Sequence, residues 1–132
     1  MMLVIGFLSV IALAMEQRRL SGPNYDPAKE ITIQGTVQEV LTVQDRRMTS
    51  IHLRVTSPDE VFDVRLGPAW FLDQEQFKFV MGDQVEVTGA TMSTNSGHAL
   101  IAREVKKGDA VLVLRDAKGF PVWSGGRGRP RS

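Results

Sequence analysis

Gly67-Pro68-Ala69-Trp70-Phe71-Leu72-Asp73-Gln74-Glu75-Gln76-Phe77 decides the architecture. It is the one stretch of the folded region that reads as a helix. Proline suits a first helical position, because its φ is already helical and its missing N–H would go unpaired there anyway. Trp70, Phe71, Gln74 and Phe77 fall on one helical stripe. We expect Trp70 and Phe71 to plug an open end of whatever the neighbouring strands build, since apolar stripes at helical spacing are usually core.

Strand patterns flank this helix on both sides. Upstream, Glu30 to Val40 alternates, with Ile31, Ile33, Gly35 and Val37 on one face and Thr32, Gln34, Thr36 and Gln38 on the other. Gly35 in the middle suggests a bulge or sharp coil that bends the strand. Ile51, Leu53 and Val55 alternate with His52, Arg54 and Thr56. After the turn Ser57-Pro58-Asp59-Glu60, Phe62, Val64 and Leu66 face inward while Asp63 and Arg65 face out. Downstream of the turn Met81-Gly82-Asp83, Gln84 to Gly89 reads as a fourth strand and Ala99 to Val105 as a fifth. Ala110 to Leu114 adds a further one after Lys106-Lys107-Gly108-Asp109. The expectation is a mainly β chain: a five-stranded Greek-key OB-fold barrel with one helix between strands 3 and 4 and an extra C-terminal strand. A β-sandwich is the competing reading, and it does not readily place one aromatic helix at that point.

The 132 residues favour one domain, and the 42% hydrophobic content is enough for a packed core. A net charge of +1 gives no strong overall field toward nucleic acid. With no cysteine there are no disulfides, thiol catalysis or cysteine-held metal, and only His52 and His98 supply imidazole.

The chain divides into residues 1–14, a linker over 15–29, the barrel over 30–123 and a basic tail over 124–132. Residues 1–14 carry no charged side chain and end in Ala12-Leu13-Ala14. The run falls short of the roughly 20 residues needed to span a bilayer. It fits the apolar region and cleavage pattern of a signal peptide, although a basic leader is missing. The other reading is a short uncleaved anchor, with Arg18 and Arg19 beyond it. The tail, containing Arg127, Arg129 and Arg131, has no aliphatic or aromatic side chain, and its composition reads as disordered.

Several of these segments together carry a resemblance. They are Tyr25-Asp26-Pro27, the strand Ile31 to Val37, Leu66-Gly67-Pro68-Ala69-Trp70-Phe71-Leu72, Gly82 to Gly89, Ala102 to Val105, Leu114-Arg115-Asp116 and Gly119-Phe120-Pro121-Val122-Trp123. Over about Tyr25 to Trp123 the chain resembles small exported bacterial OB-fold proteins. More loosely it is similar to periplasmic OB-fold proteins linked to stress tolerance. The resemblance implies the barrel and an export route, and it implies no catalytic residues.

No chemistry-bearing motif stands out. There is no G-x-S-x-G, no Walker loop and no G-x-G-x-x-G, so we expect no enzyme, no cofactor and no metal. Asp59, Glu60 and Asp63 lack the spacing and glycine of a calcium loop, and read as a polar turn beside a strand. The outward face of strands 2 and 3 is where OB-folds bind ligands. Here it offers Arg54, Arg65 and His52 as candidate ligand-binding residues. Two guanidinium groups side by side grip a carboxylate or phosphate; ordinary cross-strand pairing with Asp63 or Glu39 is the competing reading. The expected role is an exported, periplasmic or secreted binding module for a small charged ligand or an envelope protein. Single-stranded nucleic acid is an alternative partner, with Tyr25 or Trp123 as stacking platforms and the tail arginines as phosphate contacts. A further alternative is an accessory subunit of a membrane-bound complex, held by an unprocessed N-terminus.

Overall fold

β1 (Glu30–Gln44) is long enough to serve two sides of a closed sheet. In the computed structural model, which describes residues 25–44, 48–94 and 97–124, its first half pairs with β4 (Gln84–Thr94) and its second half with β2 (Thr49–Thr56). β2 pairs in turn with β3 (Val61–Pro68), and β4 with β5 (Gly97–Lys107). The sheet closes where Asp63–Arg65 of β3 run parallel to Ala99–Ile101 of β5. The circuit β1-β2-β3-β5-β4 is that of an OB-fold barrel. β6 (Ala110–Val113) is added antiparallel to the end of β5, and one helix, α1 (Ala69–Gln74), lies between β3 and β4.

The alternating residues sort as their polarity demands. Leu53, Val55, Phe62, Val64, Val87 and Leu100 all point into the barrel and are buried. Each such aliphatic or aromatic side chain contributes about 1.5–3 kcal/mol by leaving water. β1 has to coil tightly to hand over from β4 to β2. At Gly35 a Cβ would sit 2.5 Å from the Thr56 carbonyl oxygen, so glycine is needed for close approach. The register shift itself falls at Gln38, between Val37 and Glu39, three residues beyond the position expected from the glycine. Ile31, expected inside, is exposed on β1's first turn of the barrel.

α1 is shorter than its sequence stripe suggests. Pro68 is its N-cap and ends β3, rather than opening the first turn. The helix closes after Gln74 in a Schellman arrangement. Phe77 N–H donates to Leu72 O, Gln76 N–H donates to Asp73 O, and Gln76 takes a left-handed φ of 57°. No glycine marks this stop, which is why the sequence pattern runs on to Phe77. With so short a helix, the inward positions are Phe71 and Leu72, both buried. Trp70 is turned outward, 51% exposed, and does not plug the barrel. Trp123 takes that place instead. Its ring lies 5.6 Å from that of Phe71 and directly on Gly67, with the Arg115 guanidinium 5.2 Å from its centre.

A second, smaller cluster covers the outer side of β4 and β5, where Tyr25 packs with Ala90, Ile101 and Met92. The Tyr25 hydroxyl donates to Glu30 Oε2 at 2.5 Å, and Arg103 holds the same carboxylate at 2.6 Å. These bonds hold the Glu30 carboxyl below its ordinary value, Arg103 being the larger cause, while burial raises the Tyr25 phenol. Tyr25 also rests on Gly119, where no Cβ would fit against its ring. Tyr25 to Lys29, assigned to the linker on sequence grounds, therefore packs with the barrel and includes a short 3₁₀ turn capped by Asp26. The expectations for residues 1–24 and 125–132 lie outside the described residues. So do the loop tips 45–47 and 95–96.

Phe71→Ala should cost about 3–5 kcal/mol in denaturant unfolding, against about 1 kcal/mol or less for Trp70→Ala. Equal losses would contradict the plug assigned here. Gln76→Gly should raise stability by about 1 kcal/mol, because glycine enters the left-handed region without a Cβ penalty.

Candidate functional site on the outer face of the first three strands

Residues that alternate away from the core converge on one outer surface. The register places Leu41, His52 and Arg65 in one row across β1, β2 and β3, and Glu39, Arg54 and Asp63 in the next. Val43 stands opposite Ser50 in a third row. The bulge at Gln38 creates this face. Before it, the outward residues of β1 are Thr32, Gln34 and Thr36; after it, they are Glu39, Leu41 and Val43. One extra residue flips the phase of a period-2 strand, so two aliphatic side chains that would have pointed inward come to lie beside His52.

The three residues singled out from the sequence share this surface but not one environment. Arg54 Nη1 is held 2.7 Å from Glu39 Oε1. Arg65 lies opposite His52, not Arg54, so the two arginines are diagonal neighbours and do not form the side-by-side fork. Arg65 Nε is 3.7 Å from Asp63 Oδ2, beyond hydrogen-bond reach. It is buried without a hydrogen-bond partner among the described residues. His52 Nδ1 is 3.6 Å from Asp63 Oδ1 on the other side. Asp63 therefore lies between His52 and Arg65 without fully engaging either. Burial keeps the His52 imidazole below its ordinary value; Asp63 pulls it back up and Arg65 pushes it further down. At neutral pH the face accordingly presents Arg65 as its incompletely engaged cation, with a neutral ring and two aliphatic side chains around it.

Other candidates are dispersed. Glu60 pairs with His98 at 2.9 Å, away from Asp63, and no three metal-ligating groups converge among the described residues. Tyr25 is buried and Trp123 is packed between Gly67, Phe71 and Arg115, so neither stands on this face as a stacking platform.

The family model of the MamS/MamX magnetosome protein family matches residues 29–112, which take in the whole barrel and most of β6. The chain belongs to the MamS/MamX magnetosome protein family. No curated protein is significantly similar in sequence. Among solved structures, the N-terminal domain of PriB from Thermoanaerobacter tencongensis is similar at 13% identity and a TM-score of 0.49, over 61% of this chain and 96% of that one. The mitochondrial single-stranded DNA binding protein Rim1 of S. cerevisiae is similar at 11% identity and a TM-score of 0.45, over 64% and 96%. At such scores nothing about ligands passes to the MamS/MamX chain, and its fold rests on the strand order above.

Leu41 and Val43 are the members of this outer face that sequence reasoning missed. The sequence carries no clear signal for them: Leu41 and Val43 continue the odd apolar positions of Ile31, Ile33 and Val37, and only the adjacent Val40 breaks that pattern.

The His52 titration follows with its sign. A histidine whose folded value is depressed binds protons more weakly than in the unfolded chain, so stability falls as pH drops below about 6.5 and levels off under the folded value. In an NMR titration the His52 midpoint should lie below 6.5. Asp63→Asn should lower it further, and Arg65→Gln should raise it. A midpoint at or above 6.5 in the parent chain would contradict the assigned environment.

Proposed function

We propose that this MamS/MamX chain is a non-enzymatic OB-fold binding module that works on the exported side of a membrane. It docks an envelope protein, or a small charged ligand presented by one, on the outer face of β1–β3. The observation that carries the reading is Arg65, whose incompletely engaged guanidinium lies across His52 from the outward-turned Leu41, with Val43 in the next row. Aliphatic contact area on the same face as an incompletely paired arginine is what protein-binding surfaces use for their anchors. Membership in a magnetosome protein family is in keeping with a partner from a magnetosome or envelope assembly. The apolar residues 1–14 support export or membrane attachment, and among the described residues no helix is long and apolar enough to cross a membrane.

Nucleic acid is the weaker partner. Strands that bind it across an OB face combine basic side chains with stacking aromatics. This face carries Glu39 and Asp63 beside its two arginines, and its described outward residues include no aromatic.

Tagged full-length chain used to capture partners from a native envelope extract tests the proposal. Arg65→Ala combined with Val43→Ser should reduce capture about tenfold with little change in thermal unfolding. Arg54→Ala, already paired to Glu39, should reduce it less. Undiminished capture by the double variant would remove this face. Capture of oligonucleotide that falls steeply with salt would support the nucleic-acid reading instead.

A further inference from the structure

β6 is bonded to β5 along one edge, and among the described residues no strand pairs with its other edge. The two-residue loop Gly108–Asp109, with Gly108 at a φ of 60°, joins the pair Lys107 and Ala110. A two-residue hairpin hydrogen-bonds its closing pair, and antiparallel pairs then alternate. Val105 and Leu112 therefore form the next hydrogen-bonded pair, so the N–H and C=O groups of Val111 and Val113 point away from β5. No backbone bond from elsewhere among the described residues reaches them. Their side chains are exposed as well, at 49% and 48%, while Leu112 between them is buried. Edges of this kind are normally blunted by a lysine, a proline or a bulge. Ala110-Val111-Leu112-Val113 has none of these.

We infer that this edge pairs antiparallel with the same edge of a second copy, about a two-fold axis at Leu112. Self-pairing requires residues with outward main-chain groups to meet each other. Centring on Leu112 sets Val111 opposite Val113 of the second copy, and Val113 opposite its Val111. Four main-chain hydrogen bonds and two β-branched cross-strand pairs result. The boundaries also agree. Beyond Leu114 the edge is closed, because Arg115 bridges to Pro121 and Val122 N–H donates to Leu114 O at 3.0 Å. In this register the second copy's Ala110 lies opposite Leu114. Its chain then turns away through Gly108–Asp109, where the edge ends. The contact is isologous and closed, so it yields a dimer and no fibre.

The absence of cysteine from the chain gives a clean test. Val111→Cys chains and Val113→Cys chains are mixed and mildly oxidised. A hydrogen-bonded cross-strand pair has its Cα atoms about 5.5 Å apart, within disulfide reach. The mixed disulfide should exceed either homodisulfide about fivefold. By sedimentation, the parent chain should associate reversibly at high micromolar concentration. Val111→Lys should weaken that association about tenfold or more without lowering the unfolding midpoint. A parent chain that stays monomeric to about a millimolar would overturn the inference. So would statistical disulfide yields, or a dimer indifferent to both Val111→Lys and Val113→Lys.

Discussion

The parallel pairing of Asp63–Arg65 with Ala99–Ile101 is the contact on which the molecule depends. Without it the sheet would be an open ribbon, and Val64 and Leu100 would face water instead of each other's neighbours. It is also the least locally supported contact in the fold. The two segments are far apart in sequence, parallel pairs are slightly weaker than antiparallel ones, and only three residues on each side take part. The rest of the structure reinforces it. Phe71, Leu72 and Trp123 fill the end that β3 leaves open as it departs toward α1, and β6 takes over the edge of β5 that β3 relinquishes.

The same closure organises the surface. A barrel of this size forces β1 to bend, and the bend is made by a glycine that admits the neighbouring backbone and a bulge that follows it. The bulge is also what turns Leu41 and Val43 outward to meet His52 and Arg65. One piece of strand geometry thus serves both the core, which needs curvature, and the outer face, which acquires apolar area where a regular strand would have shown polar side chains. Asp63 and Arg65 belong to this face and also lie in the closing segment of β3, so the proposed binding surface stands on the most constrained part of the sheet.

The two ends of the described unit are tied to the barrel by aromatic rings laid on glycines. Tyr25 lies on Gly119 and Trp123 on Gly67. Tyr25 is further fixed by the Glu30–Arg103 pair, a bidentate contact at 2.6 and 3.2 Å that links the start of β1 to β5. These contacts bring Tyr25 and the Asp116–Trp123 segment into the packed unit, although neither belongs to the five-stranded circuit itself.

The sequence by itself determined the barrel class, the position of the helix, and the alternation of β2 and β3. Each depends on local alternation or on a proline signal that neighbouring residues supply. It also named Arg54, Arg65 and His52 as outward residues, because their parity within a regular strand is fixed. Only the tertiary structure decided the rest. Trp70 points out because α1 turns Phe71 and Leu72 to the core, and the helix stops early at Gln76, a left-handed residue that no glycine announced. Leu41 and Val43 point out because a bulge at Gln38 flips the strand's phase after the buried Val37, and its position follows from how β1 must meet two different partners at once. Which arginine is already paired depended on register across three strands. Alternation gives a residue's face, but its cross-strand neighbour is fixed only when the sheet closes.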